Sequence, residues 1–123
     1  MWYYYCILAD RVLPTYTKGE EIFNMTSHIL GGVLGIVATV LCIIFASLHK
    51  NVYGIVSSAI YGASLIILYT MSSIYHGLSP KLLSKKVFQV LDHCTIFLLI
   101  AGCYTPVALC NIRSVSPSAG WTI

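Results

Sequence analysis

Ser72-Ser73-Ile74-Tyr75-His76-Gly77-Leu78 and, after a short lysine-bearing connection, Leu91-Asp92-His93 occupy the end of one long apolar run and the start of the next. Ionisable side chains at membrane depth are costly and are functional candidates by default. Whether these residues belong to a membrane protein is decided by what flanks them. The chain has 123 residues, 58% hydrophobic and 9% charged, with a mean hydropathy of +0.83. A soluble domain carries roughly 25% charged residues, so the composition is that of an integral membrane protein.

Three segments reach the roughly 20 apolar residues that a helix needs to cross a bilayer. They are Met25 to Leu48, Val52 to Ile74 (to His76 at its polar end) and Val87 to Cys110. The apolar residues form continuous runs, without the alternation of a transmembrane barrel. Backbone groups left unpaired in lipid then favour helices throughout. The expected fold is an all-α integral membrane protein with three transmembrane helices.

Residues 1–24 form an N-terminal cytoplasmic or interfacial segment. Its start, Trp2-Tyr3-Tyr4-Tyr5-Cys6-Ile7-Leu8-Ala9, is too short to span and lacks the basic start and cleavage site of a signal peptide. It suits an interfacial segment or an unstructured end alike. Lys18-Gly19-Glu20-Glu21 reads as a helix entrance, with acids favoured in the first turn by the helix dipole. His49-Lys50-Asn51 is a short exit loop, and Gly77 to Lys86, marked by Pro80, connects the second helix to the third. Pro106 predicts a kink in the third helix. Residues 111–123 read as a turn-rich loop leading towards a fourth helix that the sequence does not contain.

The five cysteines make no CxxC pair, and four lie within the helices, where cysteine acts as a small hydrophobe. The net charge of +3 forms no basic patch, which argues against a nucleic-acid partner. With three crossings, Arg11, Lys18, Lys81, Lys85 and Lys86 share one side, and Lys50 and Arg113 the other. The positive-inside rule then places the N-terminus in the cytoplasm of a multi-pass protein of the plasma or cell membrane.

This crossing pattern puts Asn24 and His28, Ser72 and His76, and Asp92 and His93 in one layer. Helical spacing brings them towards common faces. Asn24, His28, Gly31 and Gly35 recur at i, i+4, i+7 and i+11, and Ser58, Gly62, Tyr69, Ser72 and His76 form a comparable stripe. Gly31-x-x-x-Gly35 and Ser58-x-x-x-Gly62 are small-xxx-small patterns that allow close helix approach. The expected arrangement is a bundle with a polar chamber near one surface.

Within that chamber His76 lies four residues after Ser72 and three after Ser73, so either hydroxyl is within reach of the imidazole. Asp92 is placed to orient a histidine or a water. Such a set suits zinc, which as a catalytic ion commonly takes three protein ligands and keeps one position for water. The plain alternative is that His76 sits among headgroups and needs no partner. Asn24 and His28 either join the site or only cap and pack the first helix. His93 points about 100° away from Asp92, which favours an interfacial role, and His49 lies on the opposite side. No nucleophile elbow, phosphate-binding loop or HExxH is present.

Taken together, Glu20-Glu21-x-x-Asn24-x-x-Ser27-His28, Ser72-Ser73-Ile74-Tyr75-His76-Gly77-Leu78, Leu91-Asp92-His93 and Ile100-Ala101-Gly102-x-Tyr104-Thr105-Pro106 resemble the haemolysin III family. That family belongs with the adiponectin and progestin receptor membrane proteins, and the likeness runs from about Tyr16 to the end. It implies a bundle of seven helices, of which this chain resembles the first three, with a cytoplasmic N-terminus and a zinc ion in the cytoplasmic half. By resemblance His76 is a zinc ligand, Ser72 and Asp92 line the site as catalytic residues, and Asp92 holds a zinc-bound water. His28 and Asn24 are accessory candidates. The other two ligands of the related receptors come from a late His-x-x-x-His that this sequence lacks, with His28 or His93 as candidate substitutes. The function implied is a zinc-dependent hydrolase acting on a lipid amide, with membrane lipids and possible further copies of the chain as partners. The alternative is a non-enzymatic pore-forming cytolysin, or a membrane sensor or receptor.

Overall fold

A computed structural model describes residues 10–122, which are helical from Lys18 onward with short breaks. The aromatic run Trp2–Ala9, Cys6 included, lies outside the described residues. Among the described residues there is no strand, and three helices are long and apolar enough to cross a membrane.

Helix α1, Lys18–Leu48, begins with a reciprocal cap. The Thr17 hydroxyl accepts from the Glu20 amide at 3.3 Å, and the Thr17 amide donates to Glu20 Oε2 at 2.7 Å. This capping box satisfies two of the orphan amides at the helix start. It extends the helix seven residues ahead of the apolar run, so that Glu21 and Asn24 become helical. Lys50 turns the chain with a φ of 52°, and Asn51 caps helix α2, Val52–Gly77, by accepting from the Gly54 amide at 3.0 Å.

Helix α3, Leu83–Pro106, starts earlier than the apolar run suggests. Lys85 and Lys86, expected in the connecting loop, therefore belong to its first turn, and the connection shrinks to residues 78–82. At Pro106, which has no amide hydrogen to continue the helical ladder, the α-helix gives way to a π-helical turn, Val107–Ile112. The expected loop at 111–123 is instead helical over its described residues except at Ser116: the π-helical turn runs on to Ile112, and α4, Arg113–Val115, and α5, Pro117–Thr122, follow. Pro117 explains the correction. It forces the preceding Ser116 into an extended conformation, and as the first residue of α5 its missing amide costs nothing.

The helices do not close into a bundle within this chain. α2 packs against both α1 and α3, whereas the backbones of α1 and α3 do not come together. Small residues make the two contacts close. Gly31 lies under the Tyr69 ring, where a Cβ would come within 2.8 Å; Gly35 faces Leu65 and Gly62 faces Thr39. On the other side Gly102 faces Ser64, and Ser57 Oγ lies 3.6 Å from Cys110 Sγ. Ser57 rather than Ser58 is the fully buried serine at that level. The outward faces are apolar, with Phe23, Leu34, Phe45, Ile60 and Phe97 exposed. In lipid such a surface is solvated by acyl chains.

Candidate functional site: a buried polar layer at one end of the helices

The first turns of α1 and α3 and the last turn of α2 lie at the same end, and each brings an ionisable side chain. α1 brings Glu21, favoured by the positive end of the helix dipole; α2 brings His76, favoured by the negative end. α3 brings Lys85, on the wrong end of its own dipole, and this cost is offset by specific partners. Its ammonium donates to Glu21 Oε1 at 2.7 Å and to the Leu78 carbonyl at 2.9 Å. It also lies 5.2 Å from the Tyr75 ring centroid. Lys85 is only 2% exposed, so this charge is held by protein groups, as a buried charge requires.

The second carboxylate oxygen of Glu21 faces His76. Oε2 and Nδ1 are 3.5 Å apart, with the two side chains 15% and 9% exposed. That distance suits charge attraction but exceeds a hydrogen bond, and both atoms are buried without a hydrogen-bond partner. His28 Nδ1 and Gln89 Oε1 share that condition.

Rings crowd around His76. The Tyr75 ring is 4.8 Å away between centroids, His28 5.7 Å and Tyr16 5.9 Å. His28 in turn lies 5.9 Å from Tyr69. A cavity of about 500 Å³ of mixed lining, with Asp10, Arg11, Glu21 and Lys85 beside Val12 and Leu13, opens beside the layer. A second, largely apolar groove of about 280 Å³ runs between α1 and α2, with His28 and Ser73 among its lining and Gly32, Ile36 and Ile66 deeper.

The structure brings His28 and His76 together, as the spacing suggested. Ser72 is buried in the same turn as His76, while the Ser73 hydroxyl is donated to the Tyr69 carbonyl at 2.7 Å. Asp92 is half-buried, seven residues after Lys85 on the same face of α3. Asn24 is half-buried on α1 one turn before His28. His93 hydrogen-bonds the Gln89 carbonyl of its own helix at 2.6 Å, and His49 that of Phe45 at 2.8 Å.

Local sequence patterns do not announce the pairing of Glu21 with Lys85, since Glu21 reads as a dipole residue and Lys85 as a loop cation. The i, i+4, i+7 spacing of Lys85, Gln89 and Asp92 was the available signal. Zinc, which the resemblance implies, does not fit the donors of this chain alone. Among the described residues no three His, Cys, Asp or Glu side chains are arranged to hold a metal ion. What the chain does assemble is a histidine–carboxylate pair braced by a lysine.

Three apolar helices carrying one buried polar layer define a polytopic α-helical membrane protein. A family model described as "Haemolysin-III related" matches residues 16–123, and the chain belongs to the haemolysin III family. It is 41% identical over 105 residues to Hemolysin-3 of Bacillus cereus, covering 85% of this chain and 46% of that protein. It is 40% identical over 94 residues to the Hemolysin-3 homolog of Bacillus subtilis (strain 168), covering 76% and 44% respectively. The chain thus spans about half the length of the curated relatives it matches. No solved structure matches it.

Proposed function

We infer that this chain supplies one wall of a membrane-embedded site that hydrolyses an amide bond in a lipid. The observation that carries the reading is the pair of buried, unpartnered atoms at Glu21 Oε2 and His76 Nδ1, with His28 Nδ1 beside them. A buried polar group without a partner costs about 1–3 kcal/mol. Glu21 Oε2 and His76 Nδ1 face each other across 3.5 Å, and the remaining two, His28 Nδ1 and Gln89 Oε1, mark where a water, a substrate or a further protein segment completes the set.

In this reading Glu21 orients the His76 ring through Nδ1, leaving Nε2 to take a proton from an attacking water. The water oxygen bonds to the amide carbon, and the C–N bond then breaks. The proton held on His76 passes to the departing nitrogen, giving a fatty acid and an amine. Ser72 offers a hydroxyl in the same turn for the developing oxyanion, and Asp92 holds the water. The groove beside His28 is lined mainly by apolar side chains, a surface against which an acyl chain can lie. Zinc would need ligands from beyond this chain.

The Lys and Arg asymmetry supports a cytoplasmic position for this layer in a cell membrane. Buried Lys85 is part of the site rather than a loop cation, so the count becomes Arg11, Lys18, Lys81 and Lys86 against Lys50 and Arg113.

The test is turnover. This chain replaces the segment it matches in the Bacillus cereus protein, and the chimera is reconstituted in nanodiscs with a short-chain N-acyl sphingoid. Fatty-acid release should fall at least about 100-fold with His76→Ala, the loss of an acid–base group. Release that survives His76→Ala refutes the role.

A second reading rests on the relatives' name: a cytolysin that forms pores, alone or by self-association. The apolar outer faces give it no continuous polar stripe across the span. Dye leakage from liposomes that ignores His76→Ala would favour it.

A further inference from the structure

We propose that Lys85 is a positioning residue for His76, acting through Glu21; this rests on the reading of His76 as a working group. The two residues come from different helices and are linked in series. The Lys85 ammonium is fixed by the Leu78 carbonyl at 2.9 Å, just past the end of α2, and it holds Glu21 Oε1 at 2.7 Å. With one oxygen so held, the carboxylate plane is set, and its other oxygen is presented to His76 Nδ1 at 3.5 Å. A carboxylate at Nδ1 selects the tautomer with the proton there and leaves Nε2 free to accept.

The placement is not explained by helix formation. A lysine in the first turn of α3 opposes the helix dipole, and α3 lacks a side-chain cap at Leu82. Burial of the ammonium to 2% exposure adds a desolvation cost. α1 and α3 do not otherwise pack their backbones together, so the Glu21–Lys85 bond ties two helices that meet at the site. An ammonium bearing three donors, two of them aimed at Glu21 Oε1 and Leu78 O, has the geometry of a brace.

The test uses the full chain in nanodiscs, labelled with nitrogen-15 histidine and kept metal-free with a chelator. The His76 ring signals are assigned by their disappearance in His76→Gln. In the wild type the Nδ1 signal should be that of a protonated nitrogen and the Nε2 signal that of a bare one. Lys85→Met should abolish this preference and give mixed tautomers, Lys85→Arg should restore it, and Glu21→Gln should reproduce the loss. The double variant Glu21→Gln/Lys85→Met should go no further than either single change, because both act on one link. A His76 signature unchanged in Lys85→Met overturns the proposal, as does a loss that Lys85→Arg fails to restore. If Lys85→Met does not fold, Lys85→Gln, which keeps donors but shortens the reach, is read in its place against the same two outcomes. The tautomer is observed without substrate. Absent hydrolysis with a Lys85-dependent tautomer therefore removes only the hydrolase reading. A Lys85-independent tautomer with His76-dependent hydrolysis removes only the brace.

Discussion

Glu21 Oε1 and Lys85 Nζ lie 2.7 Å apart, joining the first turn of α1 to the first turn of α3 across 64 residues of sequence. Because the backbones of those helices do not come together, this pair joins two walls of the polar layer. Breaking a buried pair by removing one partner is costly, because the other charge stays buried alone.

Glu21→Gln and Lys85→Met should each lower stability by up to about 3–5 kcal/mol, and the double variant by clearly less than their sum. Unfolding in detergent, followed by circular dichroism, measures the cycle. Additive losses would mean that the two side chains do not interact.

Gly62 faces the Thr39 side chain at the α1–α2 contact. Gly62→Val should wedge the helices apart and cost about 1–3 kcal/mol, as overpacking does. At Gly32 a Cβ would meet Tyr69 only at 3.5 Å, so Gly32→Ala serves as the tolerated control. Equal melting temperatures for the two variants would contradict the packing described.

The Thr17 cap governs where Glu21 begins. Thr17→Ala removes the side-chain acceptor for the Glu20 amide and should cost about 1 kcal/mol. Hydrogen exchange should rise at residues 18–21 and stay unchanged beyond the next turn. Uniform change along α1 would place the helix start elsewhere.

Metal content separates what this chain holds from what a longer protein adds. After dialysis against zinc, elemental analysis should find background metal on the purified chain, since its donors do not form a three-ligand set. Any zinc that the Bacillus cereus chimera retains should survive His76→Ala, because its ligands would come from beyond this chain. Stoichiometric zinc on the chain alone would overturn the reading of its donors.

Much of this architecture was legible in the sequence, for physical reasons that can be named. Long apolar runs must be helices in lipid, and the small-xxx-small spacings at Gly31, Gly35 and Gly62 signal close helix approach, which the structure realises between α1 and α2. The joint layer of His28 and His76 followed from the order of crossings. The Thr17-x-x-Glu20 capping box was also present, and it explains why α1 starts so far ahead of its apolar run. Lys85 was hidden because α3 has Leu82 at its N-cap, with no side-chain cap to announce the helix. A lysine near Pro80 and two other lysines reads as loop. Its partner was out of view for a different reason: a contact over 64 residues leaves no trace in local periodicity. The helices after Pro106 are masked because Ser114, Ser116, Pro117, Ser118 and Gly120 read as turn residues, although proline also starts helices.

The central claim is that His76, at the heart of this layer, does chemistry on a lipid amide. It is tested most directly by one preparation of the chimera in dye-loaded liposomes containing a short-chain N-acyl sphingoid, with fatty-acid release and dye leakage followed together. The expected result is release without leakage, abolished by His76→Ala and diminished by Glu21→Gln. Leakage without release, indifferent to both substitutions, would contradict it.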